Sequence, residues 1–458
     1  MIPLPMKLFR LLLPLFVTFV RASAADAVER PNVLVIVSDD HGYEDVGFQK
    51  NRNVTTPHLD SLAASGLRCT NGYVTHPFCS PTRAGLLTGR YQQRFGHERN
   101  PFYDPADAKE GLPLSETLFP AHLAKAGYAT GWVGKWHLGA TPEFSPFKRG
   151  FTEGFGFIGG GHRYQNWEVK PGGEYNISLL RNGEPVEEKE HLTTAFGREA
   201  TAFVKGHQAK PWFLYLAFNA PHTPHEATPE ALAKFSTITD PVRQKYLAQL
   251  SLMDDAIGSV LGALKETDQT KKTLVFFFSD NGGPIKQGGA NGSSNRPLRG
   301  GKGDVFDGGV RVPFVVSWPG TLPEGKDYTQ PVSSLDVMAT ALGVAGVAMP
   351  TDKKYDSVNL LPFLKGKDGS PHERLFWRNG EDLAVREGMW KLVRIKGKHD
   401  QLFEIGNRVE EERDLSEEQP DVVHDLAAKL DAWNKELVPP AFSGLSGRAK
   451  PKAKEEAK

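Results

Sequence analysis

The run Val33 to Val37, VLVIV, stops at Ser38-Asp39-Asp40-His41-Gly42, and no other feature constrains the fold as tightly. A continuous apolar, mostly β-branched run has no polar face to show to water, so it reads as a strand buried on both sides. The same grammar recurs. Trp212 to Phe218 stops at Asn219-Ala220-Pro221-His222, and Thr273 to Phe278 stops at Ser279-Asp280-Asn281-Gly282-Gly283. Tyr128 to Val133 runs into Gly134-Lys135-Trp136-His137. Helical patterns lie between, over Thr56 to Ser65, Leu114 to Ala126, Thr193 to Val204 and Val242 to Lys265. Strands alternating with helices predict an α/β fold: a large, mostly parallel sheet sandwiched by helices. Ligands of such sheets bind beyond the carboxyl ends of the strands. Asp39, Asp40, Lys135, His137, His222, Asp280 and Asn281 all follow such ends.

The two ends of the chain read differently from this core. Lys7 and Arg10 precede an apolar stretch, Leu11 to Val20, broken by Pro14 and followed by the small residues Ala22-Ser23-Ala24. That is a secretory signal pattern over residues 1–24, and the run is too short for a span of about 20 residues. No later stretch reads as a membrane span. The expectation is an exported chain, periplasmic or secreted, with the catalytic α/β domain over 25–370. After Pro371, Glu381 to Arg394 and Gln401 to Ile405 read as short antiparallel strands, and Pro420 to Leu437 as an amphipathic helix. These predict a small antiparallel α+β subdomain over 371–440. Residues 441–458 read as a disordered tail, being charged and lacking aromatics beyond Gly447. Lys+Arg and Asp+Glu are both 55, so no global field favours nucleic acid, and an anionic substrate needs locally placed cations.

Asp39, Asp40, Asp280 and Asn281 offer only oxygen donors, which suit Ca²⁺ or Mg²⁺ rather than zinc. One such pair alone is more often a turn or a helix cap. Two pairs at two buried strand ends favour a metal, since a divalent cation relieves the repulsion of adjacent carboxylates. Cys79 opens a helical run, Ser80 to Thr88, and Arg83 lies four residues on, on the same face. A helix N-terminus and a guanidinium favour negative charge there, on a thiolate or on an anionic oxygen in its place. A disulfide to Cys69, the second of the two cysteines, is the alternative, and it leaves Pro81 and Arg83 unexplained. Lys135 and His137 point the same way if the segment stays extended. His222, in NAPHTPH, is a candidate acid or base. Lys302, in LRGGKGDVFDGG, sits on a glycine-rich loop that fails the Walker A pattern, because Gly303 follows the lysine.

Together these residues resemble the type I, formylglycine-dependent sulfatases of the alkaline phosphatase superfamily. Cys79-Ser80-Pro81-Thr82-Arg83 fits the Cys-x-Pro-x-Arg signature, and GYATGWVGKWH, Gly127 to His137, fits the second one. SDD, PHTP, SDNGG and GGKG follow at suitable intervals. The resemblance implies that a formylglycine-generating enzyme oxidises Cys79 to formylglycine, and that the modified residue joins Asp39, Asp40, Asp280 and Asn281 around Ca²⁺ or Mg²⁺. Cys69 is then a plain free cysteine. It further implies that Lys135 and Lys302 offset sulfate charge, His222 assists the departing oxygen, His137 takes a proton from the second hydroxyl, and Arg83 orients the formylglycine. The implied substrate is a sulfated carbohydrate. Where some members of the family carry a serine near the lysine-histidine segment, this chain reads GFIGGGHRY, so His162 is the polar candidate for a substrate contact. His97, Glu98 and Arg99 either line the pocket or brace the helix end. A phosphodiesterase or phosphonate monoester hydrolase is the alternative. Those enzymes tend to place a histidine among the metal ligands, where this chain has Asp40 and Asn281.

Overall fold

The computed structural model describes residues 1–2, 30–51, 53–170, 174–286, 290–406 and 409–447. The expected signal segment lies outside them beyond its first two residues, as does the tail past 447. The strands are β1 (Asn32–Ser38), β2 (Gly66–Cys69), β3 (Gly72–Tyr73), β4 (Ala129–Lys135), β5 (Glu153–Phe157), β6 (Leu179–Arg181), β7 (Glu184–Val186), β8 (Trp212–Ala217), β9 (Thr273–Ser279), β10 (Phe314–Ser317), β11 (Lys326–Tyr328), β12 (Val332–Ser333), β13 (Arg374–Asn379), β14 (Asp382–Glu387), β15 (Trp390–Arg394) and β16 (Gln401–Glu404).

Ten of them form one sheet in the order β11-β2-β10-β9-β1-β8-β4-β5-β6-β7. Its centre, β9-β1-β8-β4-β5, is parallel. The sheet is mixed at its flanks, because β10 pairs antiparallel with β9 and β2, and β6 with β5 and β7. The apolar runs supply both faces by strict alternation. Leu34 and Ile36 face one core with Leu214, Leu216 and Phe277. Val33, Val35 and Val37 face the other with Phe213, Phe276 and Phe278. Helices Leu192–Gly206 and Pro241–Glu266 cover the first face, and Cys79–Thr88, Phe119–Lys125 and Asp336–Val344 the second. Helix Pro241–Glu266 is, against expectation, long and apolar enough to cross a membrane, but 67% of its apolar window is buried under the sheet. The helix expected from Leu114 begins only at Phe119, where Pro120 occupies its first turn.

The C-terminal region forms a four-stranded antiparallel sheet, β13-β14-β15-β16. One of its faces packs Leu383, Val385 and Leu392 on Leu426, Leu430 and Trp433 of helix Pro420–Lys435. The other packs Leu375, Trp377 and Phe403 on Tyr73, Val305 and Val310 of the main body. Residues 441–447, expected in the tail, are held by main-chain bonds from Ala441 N to Gly96 O and from Leu445 N to Asn100 O.

Candidate active site

β1 and β9 are paired in register, Ser38 opposite Ser279, so their carboxyl ends release Asp39-Asp40 and Asp280-Asn281 side by side. Asp39 and Asp280 are fully buried, and Asp40 nearly so. Asp40 adopts φ 59, a left-handed conformation that Asp tolerates better than most residues. Its N–H donates to Asp280 Oδ1 at 3.3 Å, and Asn281 Nδ2 donates to Asp40 Oδ1 at 2.7 Å.

Helix Cys79–Thr88 aims its first turn at these carboxylates. Cys79 Sγ donates to Asp39 Oδ1 at 3.4 Å, and ligand atoms of Asp39, Asp40, Cys79 and Asp280 all lie within 4.8 Å of one another. Burial pushes the Cys79 thiol far above its ordinary value, and Asp280 and Asp39 add to the effect. A thiol held neutral is a poor nucleophile, so the thiolate reading loses support. Cys69 and Cys79 are both free, which removes the disulfide alternative. Arg83 donates through Nε and Nη2 to Asp280 Oδ2 at 3.0 and 2.7 Å, and through Nη1 to Tyr215 Oη at 3.2 Å. It therefore braces the carboxylates.

The cations come from separate elements. Lys135, the last residue of β4, donates to Asp39 Oδ2 at 2.6 Å. Gly134 permits this: its φ is 114, and a Cβ there would lie 1.9 Å from Ala217 O on β8. Lys302 Nζ lies 2.8 Å from Asp40 Oδ1. Burial raises the Asp39 carboxyl, but Lys135, His222, Arg83 and Lys302 outweigh it and hold the group below the carboxylate range. Burial opposes the charge on Lys302, yet Asp40 prevails and raises it well above its usual value. His222 Nε2 stands 3.5 Å from Asp40 Oδ2, while its Nδ1 lies 2.6 Å from Thr223 O. That contact fixes a proton on Nδ1 and leaves Nε2 as the nitrogen that can exchange a proton with a ligand.

His137 does not continue the strand as expected. It takes φ 61, and both ring nitrogens are buried without a partner. Burial lowers its pKa well below the ordinary value, with Lys135 and Arg83 adding to the effect, so the ring is neutral and able to accept a proton. Glu174 is close by. It accepts from Gly160 N at 2.9 Å, and a Cβ on Gly160 would meet both Glu174 Oε1 and His137 Nε2, at 2.4 and 2.5 Å. Tyr175 faces the His222 ring at 6.4 Å. Sequence reasoning missed Glu174 and Tyr175, which sit in a loop without a motif. It also missed Tyr215, whose only signal was a lone polar atom in an apolar run.

The weaker substrate candidates fare differently. His162 is corrected: Nδ1 and Nε2 face Arg163 O and Ile177 O at 2.7 and 2.9 Å, leaving neither nitrogen for a substrate. His97 braces the helix start, its Nε2 2.6 Å from Ser80 Oγ. Glu98 is held by Arg378 at 2.7 Å. Arg99 borders a cavity, with Phe78 and Asn100.

Comparison with known proteins agrees with this geometry. The family model described as Sulfatase matches residues 31–347. N-acetylgalactosamine-6-sulfatase of Canis lupus familiaris is 36% identical over 391 residues, covering 80% of this chain and 72% of that protein. An arylsulfatase of Hemicentrotus pulcherrimus is 33% identical over 377 residues, covering 79% and 67%. The crystal structure of Ps i-CgsB in complex with k-i-k-neocarrahexaose superposes with a TM-score of 0.85 at 36% identity, over 90% of this chain and 94% of that one. A family model spanning most of the chain, relatives at this identity and a cation-rimmed carboxylate cluster at the expected edge agree: the chain belongs to the sulfatase family and is a sulfuric ester hydrolase.

Proposed function

We propose that this protein releases sulfate from a sulfated carbohydrate, with oxidised Cys79 and a divalent cation, Ca²⁺ or Mg²⁺, in the site. One observation carries the reading. Asp39, Asp40, Asp280, Asn281 and Cys79 converge beneath two lysines and two histidines at the carboxyl edge of the sheet. The donor set fits a hard cation, because Asp39, Asp40, Asp280 and Asn281 offer oxygens, oxidised Cys79 would add another, and Asn281 Oδ1 is buried with no partner. Bound there, the cation supplies charge neutralisation and lowers the pKa of an oxygen beside it. Formylglycine at position 79 supplies that oxygen, as one of the two hydroxyls of its hydrate.

The rest of the chemistry falls to this chain's own side chains. Lys135 and Lys302 are held charged in a buried setting, where they stabilise negative charge developing on sulfate oxygens. His222 Nε2 faces the mouth, 12% exposed as a side chain, and hands a proton to the departing sugar oxygen. One hydroxyl of the hydrate would bond to sulfur as the sugar O–S bond breaks, and neutral His137 would then take the proton of the second hydroxyl, so that the carbonyl re-forms, the bond from carbon to the sulfate oxygen breaks and sulfate leaves. Arg83 keeps Asp280 and Asp39 aligned with the helix that carries residue 79.

The carbohydrate reading draws support from a relative named N-acetylgalactosamine-6-sulfatase and from a similar structure in complex with k-i-k-neocarrahexaose. Export, and maturation by a formylglycine-generating enzyme, belong to the same proposal and rest on the sequence. A screen of defined sulfated oligosaccharides beside 4-nitrophenyl sulfate tests it by sulfate release. Mass spectrometry of the tryptic peptide Cys69 to Arg83 should show formylglycine at position 79. Full activity with an unmodified thiol would overturn the mechanism, and stoichiometric zinc with phosphodiester cleavage would favour the alternative enzyme class.

A further inference from the structure

A cavity of about 420 Å³ opens beside the catalytic centre, between Phe78, Arg99, Asn100, Asn379, Pro440 and Leu445. That volume suits a small ligand, for which pockets run from about 300 to 1,000 Å³. Its walls are tied to the catalytic residues. Phe78 directly precedes Cys79, and Asn100 Oδ1 accepts from Ser80 N at 3.1 Å. Asn379 Nδ2 donates to Gly303 O at 2.9 Å, one residue beyond Lys302. Phe78 and Gly303 also meet each other, since a Cβ on Gly303 would lie 3.2 Å from the Phe78 ring. The cavity thus shares its wall with the segments that carry Cys79 and Lys302.

The lining is mixed in a way that suits a charged sugar. Phe78, Pro440 and Leu445 offer apolar surface for a pyranose face, and the two asparagines offer amides. Two charged residues also border it. Glu98 is bound through both oxygens by Arg378, at 2.9 and 2.7 Å, so its charge is already answered. Arg99 Nη1 donates at 2.9 Å to Ser443 O, a neutral carbonyl, so its charge is not answered by that bond. Among the described residues no carboxylate is hydrogen-bonded to Arg99, so of the two charges on the wall it is the one left to meet a ligand.

Building on the sulfatase reading, the geometry points to a subsite in this cavity for the sugar next to the sulfated one, with Arg99 selecting a carboxylate or sulfate on that neighbour. The substrate class narrows to an oligosaccharide with consecutive anionic units. A bidentate guanidinium pairing discriminates against a neutral sugar more strongly than an ammonium would.

The test uses the mature full-length enzyme and competition against 4-nitrophenyl sulfate hydrolysis, so that no oligosaccharide need be cleaved. The probes are pairs: sulfated disaccharides and tetrasaccharides of the chondroitin and carrageenan types, each beside a counterpart whose neighbouring unit has its carboxylate reduced or its sulfate removed. In the best pair the anionic member should inhibit at least about tenfold more tightly, one such step being 1.4 kcal/mol. Arg99→Gln keeps a donor for Ser443 O but removes the charge, and should collapse the ratio to below about threefold. Arg99→Lys should keep part of it. Equal inhibition within every pair, or a ratio that survives Arg99→Gln, overturns the subsite while leaving the sulfatase intact. Failure of the unmutated enzyme to hydrolyse any sulfate ester strikes the functional reading itself.

Discussion

The buried charges at the strand ends and those between the two sheets are built differently. The first is the strand-end group of Asp39, Asp40, Asp280, Arg83, Lys135 and Lys302. The second joins the two sheets. There Lys391 of β15 donates to Asp307 Oδ1 at 2.6 Å and stands 2.9 Å from Glu411 Oε1. Tyr73 Oη donates to Asp307 Oδ2 at 3.0 Å, and Arg311 reaches the same oxygen at 3.3 Å. Asp307 N donates to Glu411 Oε2 at 2.6 Å, and Arg386 donates to Tyr73 Oη at 2.6 Å. In this second cluster both carboxylates have a cation against them, Lys391 on each and Arg311 on Asp307, and the exceptions are confined to Glu411, whose Oε1 has no hydrogen bond and whose φ is 50. The first keeps polar atoms without partners on Asn281 and His137, and holds Asp40 and His137 at positive φ. The first thus carries three unanswered atoms and two residues at positive φ against one of each in the second, and it lies at the strand ends where ligands of such sheets bind, so it is the one prepared for something that binds while the second serves the fold.

That contrast breaks if substitutions in the two clusters have the same consequences. The largest expected effect is on activity. Cys79→Ala should cost about 10⁴-fold or more in kcat, in line with removal of a nucleophile, while thermal unfolding shifts by only a few degrees. Next comes a loss of stability. Lys391→Met leaves Asp307 and Glu411 short of their shared cation, and should cost about 3–5 kcal/mol in chemical denaturation. Its kcat, measured well below the unfolding temperature, should stay within about twofold. A catalytic collapse at low temperature would mean that the second cluster also serves the chemistry.

Metal sharpens the distinction. Excess Ca²⁺ should raise the unfolding temperature of the mature protein, and chelation should lower it. The gain is about 2.7 kcal/mol at a hundredfold excess over Kd. Asp280→Ala should abolish that shift and Lys391→Met should retain it. A smaller effect is expected from Gly160→Ala, whose methyl would press on Glu174 Oε1 and His137 Nε2. Overpacking of this kind costs about 1–3 kcal/mol, and here it should appear mainly as a lowered kcat, read with 4-nitrophenyl sulfate.

The gentlest prediction concerns pH. Burial pushes Glu411 up to about 7, with Asp307 adding to the effect and Lys391 opposing it. The unfolded chain gives up this proton near the ordinary carboxylate value. Between the two, the folded state holds the extra proton, so stability falls as pH rises through that window and recovers on acidification. Glu411→Gln should flatten this slope in a series of unfolding curves from pH 5 to 8, and an unchanged slope would assign it to another group.

The strand ends were legible because a buried run with no polar face has few ways to fold, and the sheet then positions the residues just past its end. Asp39, Asp40, Lys135, Asp280 and the Cys79 helix were therefore readable. The reversed β10 and the short outer strands β6 and β7 were not, since a few residues carry no usable period. His137 was placed in an extended segment because nothing in GKWHLG announces its positive φ. Glu174 was missed because its relation to His137 exists only through the fold, across a glycine 14 residues away. The motif-like surroundings of His162 misled for the opposite reason: the ring sits near the site but is saturated by main-chain carbonyls.

The pairing of β1 has a consequence for how the chain is made. β1 is the first strand of the sheet to leave the ribosome, yet both of its partners, β8 and β9, come roughly 180 and 240 residues later in the sequence. At about 5–20 residues per second, β9 follows β1 by roughly ten seconds to a minute. Throughout that interval a strand of pure apolar character has two unpaired edges and no cover, the condition under which chains associate wrongly. Catalytic competence also arrives late and at once, because Asp39 and Asp280 meet only when β9 docks. The nascent chain thus passes through a long stage in which it is vulnerable to aggregation and holds no trace of activity.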